Sequence, residues 1–246
     1  TTAGEARELV RLADMHKLVL MTGHTFLYNN IVREVKERIH SGDLGDIYYL
    51  YSQRLNLGQV RDDVDVLWNL APHDVSIANY LFEARPHRAS ARGLSYIQPE
   101  RGLADVCFGQ LDYPDGRSAL MHLSWLDPMK IRRTVIVGSE KMLVYDDVDT
   151  DGHIKVFDKR VEREYRAPVK GFADFKSRLR AGDVVIPNVQ LIEPLSVEIG
   201  HFLDCVANGQ SPLTDGDHGL EVVCILEALS RSMREEGRPV EVEYLG

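Results

Sequence analysis

The sequence predicts a mixed α/β fold in two unequal parts. A short piece of an α/β layered unit opens the chain, and a large, mostly antiparallel open sheet with helices on one face follows. Three observations carry this. A capped helix is followed by a short, continuous apolar run, the pattern of a strand buried on both faces. From about residue 105 the apolar pattern changes to period two. Two more helical patterns then close the chain. The 246 residues, 44% of them hydrophobic, are ordinary for a folded chain. With 29 Lys+Arg against 38 Asp+Glu, the net charge of −9 argues against non-specific binding to nucleic acid or an anionic membrane. No run approaches the ~18 apolar residues of a membrane span. Three cysteines without a repeating spacing do not make a disulfide framework, so we expect a reducing, cytoplasmic setting.

The elements follow in order. Thr2-Ala-Gly-Glu5 fits a capping box, and Ala6, Leu9, Val10 and Ala13 continue it as a helix over 3–16. Leu18–Met21 reads as a buried strand of a parallel sheet, ended by Thr22-Gly23. A second helix carries Ile31, Val32, Val35 and Ile39 on one face and stops at Gly42. Residues 46–57 read as a strand, 74–82 as a helix and 86–97 as mostly extended. Tyr113-Pro-Asp-Gly-Arg117 is a hairpin turn in which Pro presets φ and Gly accepts a positive one. After it Ala119, Met121, Leu123 and Trp125 alternate with Ser118, Leu120, His122 and Ser124. Arg132–Val137, Met142–Tyr145 and His153–Phe157 extend the sheet. Residues 158–192 read as polar and irregular. A helix with Leu195, Ile199, Phe202, Leu203 and Val206 on one face comes next, then a helix from Thr214-Asp215 to about Glu235 and a closing strand over 240–244.

Few motifs carry chemistry. There is no dinucleotide-binding glycine fingerprint, P-loop, nucleophile elbow, zinc-protease motif or Cys-x-x-Cys. The most pointed segment is Trp68-Asn-Leu-Ala-Pro-His-Asp74, where Pro72 fixes the backbone before His73 and Asp74 can cap the following helix. A positive helix end beside His73 would favour a neutral imidazole, suited to a base; a histidine merely satisfied by its loop is the alternative. Met21-Thr-Gly-His-Thr-Phe-Leu-Tyr-Asn-Asn30 follows a presumed parallel strand at its carboxyl end, where open α/β sheets bind ligands. His201 and Cys205, four apart, could share a metal, but Phe202 and Leu203 suggest a core face and no third ligand is nearby. Arg132-Arg133 and Arg160, Arg163 and Arg166 could meet phosphate or be solvated strand positions.

The ordered series of Leu18–Met21, Gly23-His-Thr-Phe-Leu-Tyr-Asn29, Ser41-Gly-Asp-Leu-Gly-Asp46, Trp68–Asp74, Glu193-Pro-Leu-Ser-Val-Glu198 and Thr214-Asp-Gly216 resembles the Gfo/Idh/MocA family of NAD(P)-dependent oxidoreductases. The Glu-Pro-Leu and Ser-Gly-Asp-Leu-Gly segments look like its sugar-nucleotide branch. The resemblance implies that residues 1–25 are the C-terminal remnant of a Rossmann domain, and residues 26–246 a substrate-binding and oligomerisation domain. The last helix, about 217–235, would pack back toward the Rossmann part. The family's glycine loop, acidic ribose-binding residue and catalytic Glu-Lys-Pro lysine are absent, so we expect an upstream half to supply them and most of the NAD or NADP site.

By the same resemblance His73 is the acid/base that takes a proton from a sugar hydroxyl while hydride leaves the same carbon. Asn69 stands where many members have an aspartate. Gly23 and His24 match the cofactor loop, Tyr28 meets substrate nearby, and Arg54 and Trp68 are candidate walls of the sugar pocket; no metal is expected. The implied partners are a sugar or sugar-nucleotide substrate and a second copy of the chain, as a dimer or tetramer, covering the sheet face of Met121, Leu123 and Trp125. Two other readings stay open: an inactive sugar-binding or oligomerisation module, and an NAD-dependent glycoside hydrolase of the same family.

Overall fold

A computed structural model of the chain describes residues 2–58, 60–163 and 177–244. Helix α1 (Ala3–His16) begins with the capping box read from the sequence: the Thr2 side chain accepts from the Glu5 N–H, and the Glu5 carboxylate from the Thr2 N–H. It ends at Lys17 in the left-handed region. Leu18–Met21 departs from expectation. It is not a strand: Met21 makes one isolated antiparallel bridge to Asp215, and Leu18 is 66% exposed. A parallel strand needs hydrogen-bonded neighbours, and among the described residues the segment's strand pairing is limited to the Met21–Asp215 bridge.

A short 3₁₀ turn, Thr25–Tyr28, leads to α2 (Asn30–His40), whose Ile31, Val32 and Val35 are buried. Strand β1 (Ile47–Leu55) then enters the sheet, and α3 (Val66–Phe82) lies across it. The remaining strands are β2 (Arg88–Leu94), β3 (Val106–Asp112), β4 (Ser118–Ser124), β5 (Ile131–Gly138), β6 (Met142–Asp146), β7 (Ile154–Arg163), β8 (Ser177–Val185) and β9 (Val240–Glu241). Helices α4 (Pro194–Asn208) and α5 (Gly216–Arg234) come between β8 and β9. The sheet has nine strands in the order β8-β7-β6-β5-β1-β4-β3-β2-β9. It is antiparallel except for β1 and β4, where Leu50 faces Ala119 and Arg54 faces Leu123.

The hairpin turn between β3 and β4 holds Gly116 at φ 88°, as its sequence predicts. The stretch read as irregular, 158–192, instead contains the end of β7 and all of β8. Its charged residues hid an edge hairpin, where polar side chains are the rule. Residues 164–176 of that stretch, with Arg166 and the Arg163 side chain, lie outside the described residues. The closing strand is only Val240–Glu241.

The core sits between the sheet and its own helices. Ala119, Met121, Leu123 and Trp125 are all buried, and α3 and α5 cover the face they form. This corrects the expectation that another subunit must cover them: an apolar strand face is satisfied by an amphipathic helix of the same chain. The other face carries Tyr49, Tyr51, Phe108 and Leu120, each more than a third exposed. The apolar face of α4 also departs from its reading. Leu195, Ile199, Leu203 and Val206 point outward, while Glu198 and Cys205 are buried. His201 and Cys205 form a local contact, 3.5 Å between Nε2 and Sγ, and no metal-binding cluster exists among the described residues.

The close approach of β5 to the loop before β1 gives a direct test of this packing. A Cβ on Gly138 would collide with the Leu44 carbonyl oxygen. Gly138→Ala is expected to cost about 1–3 kcal/mol in urea unfolding, whereas an unchanged midpoint would show that the two segments do not touch.

Candidate functional site

Helix α3 builds one wall of the site. It starts eight residues before the helix expected there, because Asp65, not Asp74, is the cap: its carboxylate accepts from the Trp68 N–H at 2.9 Å. Pro72 therefore lies inside the helix. It brings no N–H for the Trp68 carbonyl, and burial of Val66, Leu67, Ala71 and Val75 holds the helix together across it. His73 stands in the second turn, beyond the reach of the helix-end field invoked from the sequence.

The imidazole is nonetheless driven neutral by other means. Burial, and then the positive charges of Arg54 and Arg132, push His73 down to about 4; Asp74 opposes them. Its Nδ1 is buried and finds no hydrogen-bond partner among the described residues. The ring meets Phe26 edge-on, 5.1 Å between centroids. Arg54, on β1, is buried and paired with Asp74, Nε to Oδ2 at 2.8 Å and Nη2 to Oδ1 at 3.3 Å. Its guanidinium also lies 4.7 Å from the centre of the Phe26 ring. Phe26 thus touches both the cation and the imidazole.

These groups line a cavity of about 770 Å³ with Asn69, Asn56, Arg61 and Trp125. The Asn69 Oδ1 accepts from the Trp125 indole N–H at 3.3 Å, which fixes the amide and leaves its NH₂ free to donate. Arg132, opposite Arg54 in the β1–β5 register, reaches the same cavity. Two like charges facing across a ladder are unfavourable. Each has its own carboxylate, Asp74 for Arg54 and Asp147 for Arg132 at 3.4 Å.

The Gly23-His24 loop forms a second polar cluster beside the first. His24 is buried and edge-on to His218, with 5.1 Å between centroids. Burial, then His218 and His73, press it down to about 3. Thr25 donates to Glu198 Oε2 at 2.6 Å, and Glu198 Oε1 lies beside Gly23. His24 Nε2, His218 Nδ1 and Glu198 Oε1 are all buried and find no hydrogen-bond partner among the described residues. Such orphaned groups call for a polar occupant.

Of the residues singled out in the sequence, the structure brings His73, Asn69 and Arg54 to one cavity and sets Gly23 and His24 in the adjoining cluster. Tyr28 is elsewhere: it is fully buried, its hydroxyl 3.0 Å from Thr214 Oγ1 and its ring against His201. Trp68 turns to the other side of α3, where its indole donates to Ser230. Phe26, Asn56, Arg61 and Trp125 in the cavity, and Glu198 and His218 in the cluster, join the predicted residues without a motif in the sequence that marks them. Period two along β1 and β5 was the available signal for placing Arg132 with Arg54.

Comparison with known proteins adds to this geometry. Residues 32–144 match the family model described as the GFO/IDH/MocA C-terminal domain. Comparison with curated protein sequences finds no match. Among solved structures, an aldose-aldose oxidoreductase from Caulobacter crescentus complexed with glycerol is 17% identical, with a TM-score of 0.76, covering 98% of this chain and 69% of that one. An inositol dehydrogenase homolog from Azotobacter vinelandii complexed with NADH and myo-inositol is 17% identical at TM-score 0.75, with the same coverages. A UDP-N-acetylglucosamine 3-dehydrogenase from Acidithiobacillus ferrooxidans is 21% identical at TM-score 0.68, covering 96% of this chain and 69% of that one. At these identities the likeness establishes the fold.

The lowered imidazoles have a thermodynamic consequence. With His73 at about 4 and His24 at about 3 in the folded state, against about 6.5 in an open chain, the unfolded state binds more protons at mildly acidic pH. Stability is therefore fully present above about pH 6.5 and falls as pH drops toward the folded values. In His73→Gln the slope of unfolding free energy against pH in that window should decrease by up to about 1.4 kcal/mol per pH unit. Urea titrations across pH measure it, and an unchanged slope would mean that His73 titrates normally.

Proposed function

Because residues 32–144 of this chain belong to the GFO/IDH/MocA C-terminal domain family, we propose that it is the substrate half of a nicotinamide-dependent oxidoreductase acting on a sugar or sugar nucleotide. The observation that carries the reading is His73: a neutral, largely desolvated imidazole on the wall of a cavity that also presents amide and guanidinium donors. A polyhydroxylated ligand matches such a lining, since each hydroxyl both donates and accepts. Arg54, Arg61 and Arg132 against Asp62 and Asp63 leave the lining with one positive charge in excess, which favours a substrate that also carries negative charge, as the phosphates of a sugar nucleotide do.

In this reading His73 receives the proton of the substrate hydroxyl as the carbon beneath it is oxidised. A base must be unprotonated to work, and burial, aided by the neighbouring Arg54 and Arg132, keeps this one so. Asn69 donates to the reacting oxygen but takes no proton, leaving the base role to His73 alone. A nicotinamide, when bound, accepts the hydride. Gly23 and His24 would hold it, and the orphaned His24 Nε2, His218 Nδ1 and Glu198 Oε1 suit its carboxamide. Docking of a Rossmann half is supported by the Leu18–Met21 segment, whose strand pairing among the described residues is a single bridge to Asp215, and by the outward apolar stripe of α4, both surfaces that a neighbouring parallel sheet would cover. Self-association through the outer sheet face is supported by its stacked pairs Tyr49–Tyr51 and Phe108–His122.

Two experiments test these readings. In protein joined to its dinucleotide-binding half, His73→Asn is expected to lower kcat by about 10²–10⁴, and unchanged turnover rejects His73 as the base. For the assembly, Tyr51→Glu with Leu120→Glu is expected to yield a monomer in light scattering; an unaltered oligomer places the interface elsewhere.

A further inference from the structure

A second cavity, also of about 770 Å³, opens on the opposite side of α3 and shares no lining residue with the first. Its walls come from the start of α3, the end of β2 and the C-terminal half of α5. Trp68 lines it and is held in place by the bond from its indole N–H to Ser230 Oγ, 2.9 Å. Ser95 presents a buried hydroxyl that finds no partner among the described residues. Asp65 spends one carboxylate oxygen on capping α3, and Glu227 spends one on the Ala3 N–H. Arg234 adds a guanidinium.

The charges decide the class of ligand. Asp65, Glu227, Arg231 and Arg234 all line the cavity, so its formal charges sum to zero. An anion would meet two carboxylates and a cation two guanidiniums, each a desolvation cost without compensation. A neutral ligand rich in hydroxyls meets acceptors, donors and an indole at once. We propose that the cavity between α3, β2 and α5, lined by Trp68, Asp65, Ser95 and Glu227, is a second binding site for a neutral sugar or polyol, separate from the one at His73.

The distribution of tryptophans makes this testable. The chain has two, Trp68 in this cavity and Trp125 in the other. In Trp125→Phe, Trp68 is the sole indole reporter. Titration of that protein with D-glucose, N-acetyl-D-glucosamine and myo-inositol should give, for at least one of them, a saturable change in emission and in the indole N–H resonance with a millimolar midpoint. Glu227→Gln and Ser95→Ala should each raise the midpoint about five- to tenfold, and Asn69→Leu in the other cavity should leave it unchanged. Should Trp125→Phe not fold, the separate indole resonances of the wild-type protein read the same pattern. Absence of any saturable change overturns the proposal. So does a change abolished by Asn69→Leu but indifferent to Glu227→Gln and Ser95→Ala, or saturation by inorganic phosphate and by none of the three neutral probes.

Discussion

The buried pair of Arg54 and Asp74 is the interaction on which the rest of the site depends. It ties the middle of the sheet to the helix lying across it, with both side chains almost fully removed from water. Pairs of this kind gain little net stability, since desolvating two charges offsets most of their attraction; losing one partner, however, costs several kcal/mol. Their value is in specifying one arrangement. Here the bidentate geometry sets the rotation of α3 about its axis, and His73, the residue before Asp74, is placed by it. The same guanidinium holds the Phe26 ring, which in turn touches the imidazole.

From this fixed rotation the two faces of α3 take different tasks. Asp65 and Trp68 look toward α5, and Asn69, Leu70 and His73 look toward β1 and the arginines. The tryptophans follow the same division. One is pinned by a serine of α5 and the other pins an asparagine of α3, so each cavity has a wall that cannot swing away. Rigid walls matter because a polar ligand is bound by several weak hydrogen bonds whose sum survives only if the groups are already in place.

Much of the fold was legible in local signals. The Thr2–Glu5 box, the Pro-Asp-Gly turn and the alternation through Ala119–Trp125 each depend on neighbours in sequence, and each forms as read. The failures share a cause. Pro72 reads as a helix boundary, yet buried contacts on both sides carry the helix across it. The stripe Leu195–Val206 reads as a core face, yet the bond from Thr25 to Glu198 turns the polar side inward. Leu18–Met21 has the composition of a buried strand, but composition does not supply the neighbour a strand requires. In the candidate site, His73, Asn69 and Arg54, each singled out by the sequence, share one cavity. Arg132 was not assigned, because its nearness to Arg54 is a matter of strand pairing across about 80 residues of sequence, and no short-range pattern encodes that.

The amide at position 69 gives the arrangement its chemical direction. A carboxylate there would lie close to His73 and stabilise its charged form, raising the imidazole toward or above its ordinary value. Asn69 makes no such contribution, and its carbonyl is already engaged by Trp125. With Arg54 and Arg132 acting in the opposite sense, His73 stays neutral well into the acidic range. An imidazole so depressed is always available as a base near neutrality but is a weak one, since proton affinity falls with pKa. In the proposed reaction it would take a proton effectively only where the donor is itself acidified in the same cavity, and Arg54 and Arg132, which line that cavity, would stabilise the alkoxide formed. Burial depresses the base first and the pair of cross-strand cations adds to it, so the same cations that lower His73 would, in the proposed reaction, stabilise the developing anion.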